Sequence, residues 1–291
     1  MACRNASEIC AYISRTIEAR AVFVEGPTDA RILNRAFVDC GRPEIIAYPI
    51  TTVNFDDIPD TPNSNRSKCL LVAAMLASQC PDSGSGKVLC VVDSDFALYD
   101  CDLTPLPFVV YTDHADLLLY FAQENVLNYL TAHILGDNVS LTSVLDQVFD
   151  VCTSLFAARY ALRRIAPTIG FVDDPSRACL FENERIVLDK ARLAAQILSP
   201  RNAMTHSADL QREMARVVPR SDLPITAQIN GHDFVSIFRY ALVRFGRGRV
   251  TRAFTDAAVE AMIYAAQPAA RLCETSLIRT IAARICALRS S

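Results

Sequence analysis

The sequence predicts an α/β fold, in which a parallel sheet flanked by helices is followed by a mostly helical region. Short apolar runs alternate with helical patterns over residues 21–132, whereas only helical spacing remains after about residue 140. Strands and helices that alternate at this short spacing are typical of right-handed βαβ units. We therefore predict an α/β domain over residues 1–138, with a helix at its N-terminus, and a helical, arginine-rich domain over residues 139–291.

Four apolar runs of the first domain are predicted to be parallel strands. The third is apolar throughout, as expected for a strand that is covered on both faces. The strands are residues 21–26, 44–50, 87–95 and 107–112, and the helices predicted beside them are residues 27–41, 67–80 and 113–132. The first of these helices has a proline in its first turn and stops at a glycine, which are common start and stop residues.

The segment of residues 51–68, between the second strand and its helix, is predicted to be a functional loop. It is polar, contains prolines and is too long for a simple connection. Long loops in compact domains are usually functional or disordered, and this one leaves the carboxyl end of a strand, where open α/β sheets bind ligands.

Apolar residues recur at three- and four-residue spacing throughout the second domain, which predicts helices there. These helices are residues 140–166, 183–199, 207–218, 231–246, 256–266 and 268–291.

The composition is typical of a globular protein, with 51% hydrophobic and 21% charged residues among 291. No apolar run of 18 residues lacks charges, so we expect no membrane-spanning segment. The first 20 residues carry charges within a helical pattern, unlike a signal peptide, and we expect a cytoplasmic protein. The eleven cysteines are odd in number and several lie in apolar runs. We expect them to be buried thiols of a reducing compartment, without a zinc site.

Charge is distributed unevenly along the chain. Residues 1–150 contain 9 Lys and Arg against 20 Asp and Glu, a net charge of −11, whereas residues 151–291 contain 20 against 12, a net charge of +8. Nineteen of the twenty basic residues in the second half are arginine. Arginine favours bidentate phosphate contacts, so this half is a candidate nucleic-acid surface, although an ordinary solvated helical surface explains the charges equally well.

Acidic residues follow three of the four predicted strands. Because parallel strands lie about 4.8 Å apart and end at the same edge of the sheet, these side chains are expected to converge. Converging carboxylates repel unless a cation lies between them, and Mg²⁺ or Mn²⁺ is the cation that oxygen ligands favour. For any one of these acids alone, a helix cap or turn is the simpler explanation. The acids are Glu25, Asp29, Asp93, Asp95, Asp113 and Asp116.

Two of these segments resemble the motifs of the TOPRIM domain, which occurs in type II topoisomerases, bacterial primases and OLD-type nucleases. "VFVEGPTDARIL" resembles its first motif and "VLCVVDSDF" its Asp-x-Asp motif. The later "FVVYTDHADLLLYF" and "INGHDFVSIFRYAL" are similar to a TOPRIM-like family of bacterial defence islands, whose functional parallel is the effector nuclease of the PARIS anti-phage system. The TOPRIM motifs cover about residues 20–130, and the fuller resemblance extends more weakly to the C-terminus.

The resemblance implies a role for each matching residue. Glu25 is implied to contact a metal ion or exchange a proton at the scissile phosphate, and Asp93 and Asp95 are implied metal ligands. Asp29 is a supporting acid that fixes the first loop, and Lys68 is a candidate for stabilising the phosphoryl transition state.

The chain also departs from the family pattern at two positions. Ala97 stands where topoisomerases and primases often have a third acid, and Leu118 stands where defence-island relatives tend to have glutamate. Both departures weaken the case for a fully ligated two-metal site.

Several weaker candidates complete the sequence-based site. Asp113, Asp116 and His232 are candidate supporting residues, although a plain helix start explains His232 as well. Flexible glycines surround four arginines that are candidates for binding backbone phosphates, with a solvated loop as the alternative. These are Arg244, Arg247, Arg249 and Arg252.

The sequence thus leads us to expect a metal-dependent TOPRIM nuclease that cuts DNA or RNA, including tRNA, and acts as the toxic effector of an anti-phage system. The resemblance implies control by an ABC-type ATPase partner, and the helical half leaves a homodimer open. The alternative is a non-catalytic TOPRIM-like binding or assembly module in a defence complex.

Overall fold

The computed structural model describes residues 4–6, 8–9, 11, 20–79, 87–103, 105–136, 140–201, 203–247, 254–266 and 269–286. The strands are β1 Arg4–Asn5, β2 Ala21–Val24, β3 Ile46–Pro49, β4 Val53–Asn54, β5 Val88–Val92, β6 Val109–Tyr111, β7 Cys179–Glu182 and β8 Arg185–Leu188. The α-helices are α1 Pro27–Asp39, α2 Asn65–Gln79, α3 Ala97–Asp100, α4 Glu124–Leu135, α5 Leu141–Ile165, α6 Lys190–Leu198, α7 Ser207–Met214, α8 Gly231–Phe245, α9 Asp256–Ala266 and α10 Ser276–Cys286. Most of the predicted N-terminal helix lies outside the described residues.

The chain divides into two compact units whose boundaries differ from the predicted ones. Unit 1 comprises residues 1–97, 101–113 and 268–291, and unit 2 comprises residues 98–100 and 114–267. Unit 1 contains the C-terminal segment because α10 returns to the sheet, where Arg284 Nη1 donates a 2.6 Å hydrogen bond to the carbonyl oxygen of Val109. The predicted boundary between residues 138 and 139 therefore does not coincide with this division.

Unit 1 contains the predicted parallel sheet, with the strand order β3-β2-β5-β6. All three neighbouring pairs are parallel, with Phe23 opposite Cys90 and Val92 opposite Tyr111. Every residue of β5 is buried, as expected for a central strand that is covered on both faces. The α/β class is therefore confirmed, and β2, β5 and β6 end at one edge of the sheet.

Helix α1 is amphipathic and packs against β2 and β3. Its apolar residues recur at three- and four-residue spacing, and this stripe is buried because it faces the sheet. The buried members are Ala30, Leu33, Ala36 and Phe37.

A disulfide bond contradicts the expectation that all the cysteines are thiols. Cys40, at the end of α1, is bonded to Cys273, although 233 residues separate the two in the sequence. Both cysteines lie in unit 1 because the C-terminal segment returns to this unit. This return brings together two sulfur atoms that no local spacing in the sequence connects.

Unit 2 is mainly helical, with the 25-residue α5 packed against α7 and α8. Its hairpin of β7 and β8 corrects the predicted helix over residues 183–199, which begins only at Lys190. Asn183 and Glu184 have φ angles of 50° and 59°, so they form a tight two-residue turn. The predicted helix over residues 113–132 was also too long, since its first part is a short 3₁₀ turn and α4 begins at Glu124.

The helices of the described ranges are all too short or too polar to cross a membrane.

Candidate functional site

The first candidate acids meet because β2 and β5 are neighbours and end at the same edge. Glu25 directly follows β2, and its Oε1 accepts a 3.0 Å hydrogen bond from the backbone N–H of Asp93, which directly follows β5. The two residues are 68 positions apart in the sequence. The structure therefore brings the first two predicted motifs together.

The Asp-x-Asp turn is fixed by its middle residue. Ser94 is completely buried, its N–H donates a 2.9 Å hydrogen bond to Thr112 Oγ1, and its hydroxyl donates to the Thr112 carbonyl oxygen. Thr112 directly follows β6, so two hydrogen bonds hold the turn against the neighbouring strand end. This arrangement leaves Asp93 and Asp95 on either side of a buried anchor, with the Asp95 backbone in the left-handed region at φ 45°.

Asp29 fixes the turn between β2 and α1. Its Oδ2 accepts a 3.0 Å hydrogen bond from the N–H of Gly26, which immediately follows Glu25. An acid in the first turn of a helix is also favoured by the helix dipole. Asp29 therefore connects the start of α1 to the turn that follows Glu25. We call Glu25, Asp29, Asp93 and Asp95 the acidic rim.

Arg66 is a residue at this edge of the sheet that the sequence analysis missed. It lies in the first turn of α2, and its Nη1 donates to the carbonyl oxygen of Asp93 at 2.7 Å and to Asp95 Oδ2 at 2.6 Å. No motif marks Arg66 in the sequence, and its only hint is its position two residues before the predicted Lys68. The Asp95 side chain is 45% exposed, so water screens this ion pair and reduces its contribution to stability.

Burial raises the pKa of Glu25, and neighbouring charges add to the effect. Burial is the largest cause, the neighbouring charges of Asp95 and Asp29 add to it, and the hydrogen bond from Asp93 and the charge of Arg66 oppose it. The result is a pKa of about 7 in place of 4.5. Glu25 is therefore partly protonated near neutral pH, as an acid–base group in a catalytic site needs to be.

The carboxylates of the rim do not form a ready metal site in this conformation. Within the described residues, no three acidic, histidine or cysteine side chains are grouped closely enough to hold a metal ion. Asp95 is bound to Arg66, and one oxygen of Glu25 is bound to a backbone N–H. The oxygen ligands suit Mg²⁺ or Mn²⁺ by their chemistry, but their present arrangement does not fit either ion.

The segment predicted as a polar loop contains regular secondary structure. It contains a 3₁₀ turn over Ile50–Thr52 and strand β4, and α2 already begins at Asn65. Lys68, the predicted transition-state cation, lies on α2 with its ammonium 5.6 Å from the centroid of the Phe55 ring. Of the two basic side chains at the start of α2, it is therefore Arg66 that binds the acidic rim.

The acids of the fourth motif fall into different units. Asp113 belongs to unit 1, where its exposed carboxylate accepts a hydrogen bond from the hydroxyl of Ser276. Asp116 belongs to unit 2 and caps the 3₁₀ turn, with Oδ1 accepting from the N–H of Leu119 at 3.3 Å. Neither hydrogen bond involves a member of the acidic rim.

The "INGHD" segment has a structural role in unit 2. Gly231 donates a 2.6 Å hydrogen bond from its N–H to Asp116 Oδ2, so two of the motifs behind the resemblance contact each other. A side chain at Gly231 would overlap the Asp116 carboxylate. Asp233 is 1% exposed and forms a bidentate ion pair with Arg159, at 2.6 and 2.8 Å. His232, which lies between Gly231 and Asp233 in the sequence, has an exposed side chain.

The candidate phosphate-binding arginines are only partly described. Arg244 is exposed on α8 and lies over the Tyr240 ring, 4.9 Å from its centroid. Arg247 is exposed and pairs with Glu184 at the tip of the hairpin. Arg249 and Arg252 lie outside the described residues.

No protein-family model matches the chain, and no curated protein matches it. The functional proposal therefore rests on the geometry of the acidic rim and on its resemblance to the TOPRIM motifs.

Proposed function

We propose that unit 1 is a TOPRIM-type nuclease that hydrolyses phosphodiester bonds in DNA or RNA, including tRNA, at the acidic rim. The observation that carries the proposal is the hydrogen bond between Glu25 and the backbone of Asp93. It joins the two segments that resemble the TOPRIM motifs, at the edge of the sheet where open α/β folds bind ligands.

Glu25 is the proton-exchanging residue of this proposal. Its raised pKa lets it hold a proton at Oε1 or Oε2 near neutral pH and transfer it at the scissile phosphate. Arg66 is the phosphate-binding residue, because its guanidinium touches the acidic rim and its planar shape matches two phosphate oxygens.

The proposal includes Mg²⁺ or Mn²⁺ only as an ion whose effect on cleavage is to be tested. The resemblance implies such an ion, and the carboxylate oxygens of the rim are ligands of the kind that Mg²⁺ and Mn²⁺ prefer. Since the side chains do not fit an ion as they stand, no step of the reaction is assigned to one.

The proposed biological role is that of a toxic effector in an anti-phage system of the cytoplasm, held inactive by an ABC-type ATPase partner. A nuclease without a sequence-reading motif endangers the host's own nucleic acid, because arginine contacts to backbone phosphates do not select a sequence. The support for the partner is the defence-island resemblance of the later motifs.

The test is a cleavage screen with the purified chain. Plasmid, single-stranded DNA, total RNA and tRNA are incubated with Mg²⁺, with Mn²⁺ and with a chelator, and the products are separated on denaturing gels. We expect cleavage of at least one substrate with one of the ions and none with the chelator. Cleavage that is unchanged in both Glu25→Gln and Asp93→Asn would disprove the assignment of the site.

A second candidate function is a binding or assembly module that has kept the TOPRIM shape without turnover. The observation in its favour is the ion pair between Arg66 and Asp95, which uses one of the implied metal ligands. This module forms a stable complex with the ATPase partner, cleaves nothing under any metal, and protects cells from phage equally well after Asp95→Asn. Loss of protection in the Asp95→Asn strain would exclude it.

A further inference from the structure

Unit 2 contains a cavity of about 310 Å³, and none of the acidic-rim residues lines it. It lies between the start of α5, the β7–β8 hairpin and the end of α8, and we call it the hairpin cavity. Its volume is at the lower end of the range for small-ligand pockets, about 300 to 1,000 Å³. A single nucleotide is a ligand of suitable size for a pocket of this kind.

One part of the lining is suited to a phosphate group. Arg244 and Arg247 project from the end of α8, and the hydroxyls of Ser140 and Ser143 lie at the start of α5. Arginine binds phosphate oxygens through charge-assisted hydrogen bonds, and hydroxyls donate to the same atoms. Glu184 offsets one positive charge through its ion pair with Arg247, which leaves a net charge of about +1 from these three ionic groups.

The start of α5 adds to this preference. The Ser140 hydroxyl forms no capping hydrogen bond with the described residues, although Ser140 is the N-cap of a 25-residue helix. The first N–H groups of a helix point out of its N-terminus and favour an anion there. Helix and arginines are independent features of the lining, and both favour negative charge.

Another part of the lining is suited to a planar base. Phe181 on β7 and Phe245 on α8 line the cavity, with ring centroids 5.1 Å apart and nearly perpendicular rings. Both are half-buried, so apolar ring surface remains available to a ligand. Bases stack on aromatic side chains without regard to sequence.

From these features we propose that the hairpin cavity binds one nucleotide, with its phosphate at Arg244 and Arg247 and its base against Phe181 and Phe245. The ligand is either a free nucleotide or a nucleotide unit of a bound strand, since the chemistry is the same. The proposal deepens the proposed function but does not depend on cleavage, because binding is measured separately.

The test is equilibrium binding to the full chain carrying Glu25→Gln, which removes cleavage as a complication. The probes are adenosine monophosphate, adenosine, inorganic phosphate and a fluorescent five-nucleotide single strand. We expect the monophosphate to bind more tightly than adenosine or phosphate alone. Arg244→Gln is expected to weaken its binding about tenfold, the loss expected for a charge-assisted hydrogen bond.

The matched control is Arg212→Gln, because Arg212 is also exposed in unit 2 and ion-paired, with Asp209, outside the cavity. The affinity of the Arg212→Gln variant for the monophosphate is expected to stay within twofold of that of the parent chain. Melting temperatures verify that both variants fold. If Arg244→Gln also weakens binding of the single strand, and the monophosphate competes with the strand for binding, the strand supplies the nucleotide. If only the monophosphate is affected, a free nucleotide is the ligand. Equal binding by the two variants, or phosphate alone binding as tightly as the monophosphate, would overturn the proposal. Failure to cleave nucleic acid leaves these outcomes unchanged.

Discussion

The guanidinium of Arg66 lies 2.6 Å from the carboxylate of Asp95, so a cation from the start of α2 is bound to the acid-rich edge of the sheet. In a TOPRIM-type site this carboxylate is an implied metal ligand. The proposed function therefore predicts that Arg66 and a divalent ion compete for Asp95, and this competition can be measured.

We expect Arg66→Ala to increase the affinity for Mn²⁺ about fivefold while reducing cleavage. The increase corresponds to removing a competing charge worth about 1 kcal/mol in a solvated site. Titration calorimetry measures the affinity, and Lys68→Ala is the matched control because its ammonium lies over Phe55. Identical affinities in the parent and both variants would show that Arg66 does not compete with the ion.

Glu25 is expected to make stability fall as the pH rises. Its pKa is raised from 4.5 to about 7, so the folded protein holds this proton more tightly than the unfolded chain does. The stabilisation is complete below pH 4.5 and is lost as the pH rises to about 7, by up to about 3 kcal/mol. Glu25→Gln removes this dependence, so the variant melts at a higher temperature than the parent at pH 8 and at a similar one at pH 4.

Thermal melts of parent and variant between pH 4 and pH 8 provide the measurement. Asp56→Asn, at an exposed position of the same unit, is the control and should follow the parent curve. A Glu25→Gln curve parallel to that of the parent over the whole range would mean that Glu25 titrates normally.

Gly231 is expected to tolerate no side chain. The Cβ of alanine would overlap the Asp116 carboxylate, so Gly231→Ala should destabilise unit 2 by about 2 kcal/mol, as overpacking typically does. Adding Asp116→Ala removes the obstruction, so the double variant should be less unstable than the sum of the single changes. Chemical denaturation measures all three, with Gly170→Ala as the control, since its nearest neighbour is the flexible end of Arg201. Additive effects would contradict the contact between the two motifs.

The Cys40–Cys273 bond is expected to stabilise unit 1 only under oxidising conditions. It closes a loop of more than 200 residues, and closing long loops in the unfolded chain contributes up to about 5 kcal/mol. Cys40→Ser should lower the melting temperature in oxidising buffer and leave it unchanged in reducing buffer, with Cys101→Ser as an exposed control. Peptide mapping without reductant identifies the cross-linked pair. Free thiols at both positions in air-oxidised protein would contradict this bond.

The sequence predicted the parts of the fold that local patterns determine. The apolar run of β5 and the amphipathic α1 were both recognised. A strand covered on both faces leaves a continuous apolar run, and a helix with one buried stripe leaves apolar residues at three- and four-residue spacing. The meeting of Glu25 with Asp93 also followed, since parallel neighbours end at one edge. The prediction that the two strands are parallel neighbours was therefore enough to predict this contact between residues 68 positions apart.

Other features were missed because their causes are not local. The segment before Lys190 has a helix-like spacing, yet it forms β8 because pairing with β7 satisfies its backbone. Arg66 carries no motif of its own, and only the packing of α2 beside β5 brings it to Asp95. The partner of Cys40 depended on the return of the C-terminal segment to unit 1, which no spacing indicates.

The rate of nucleic-acid cleavage is the measurement that tests the central claim most directly. The best substrate and ion from the screen are used under single-turnover conditions with the parent and the variants Glu25→Gln, Asp93→Asn and Asp56→Asn. We predict that the first two variants lose at least about 100-fold in rate, the loss typical of a removed acid–base or electrostatic group, while Asp56→Asn retains the parent rate. Equal rates for the parent and both acidic-rim variants would contradict the account.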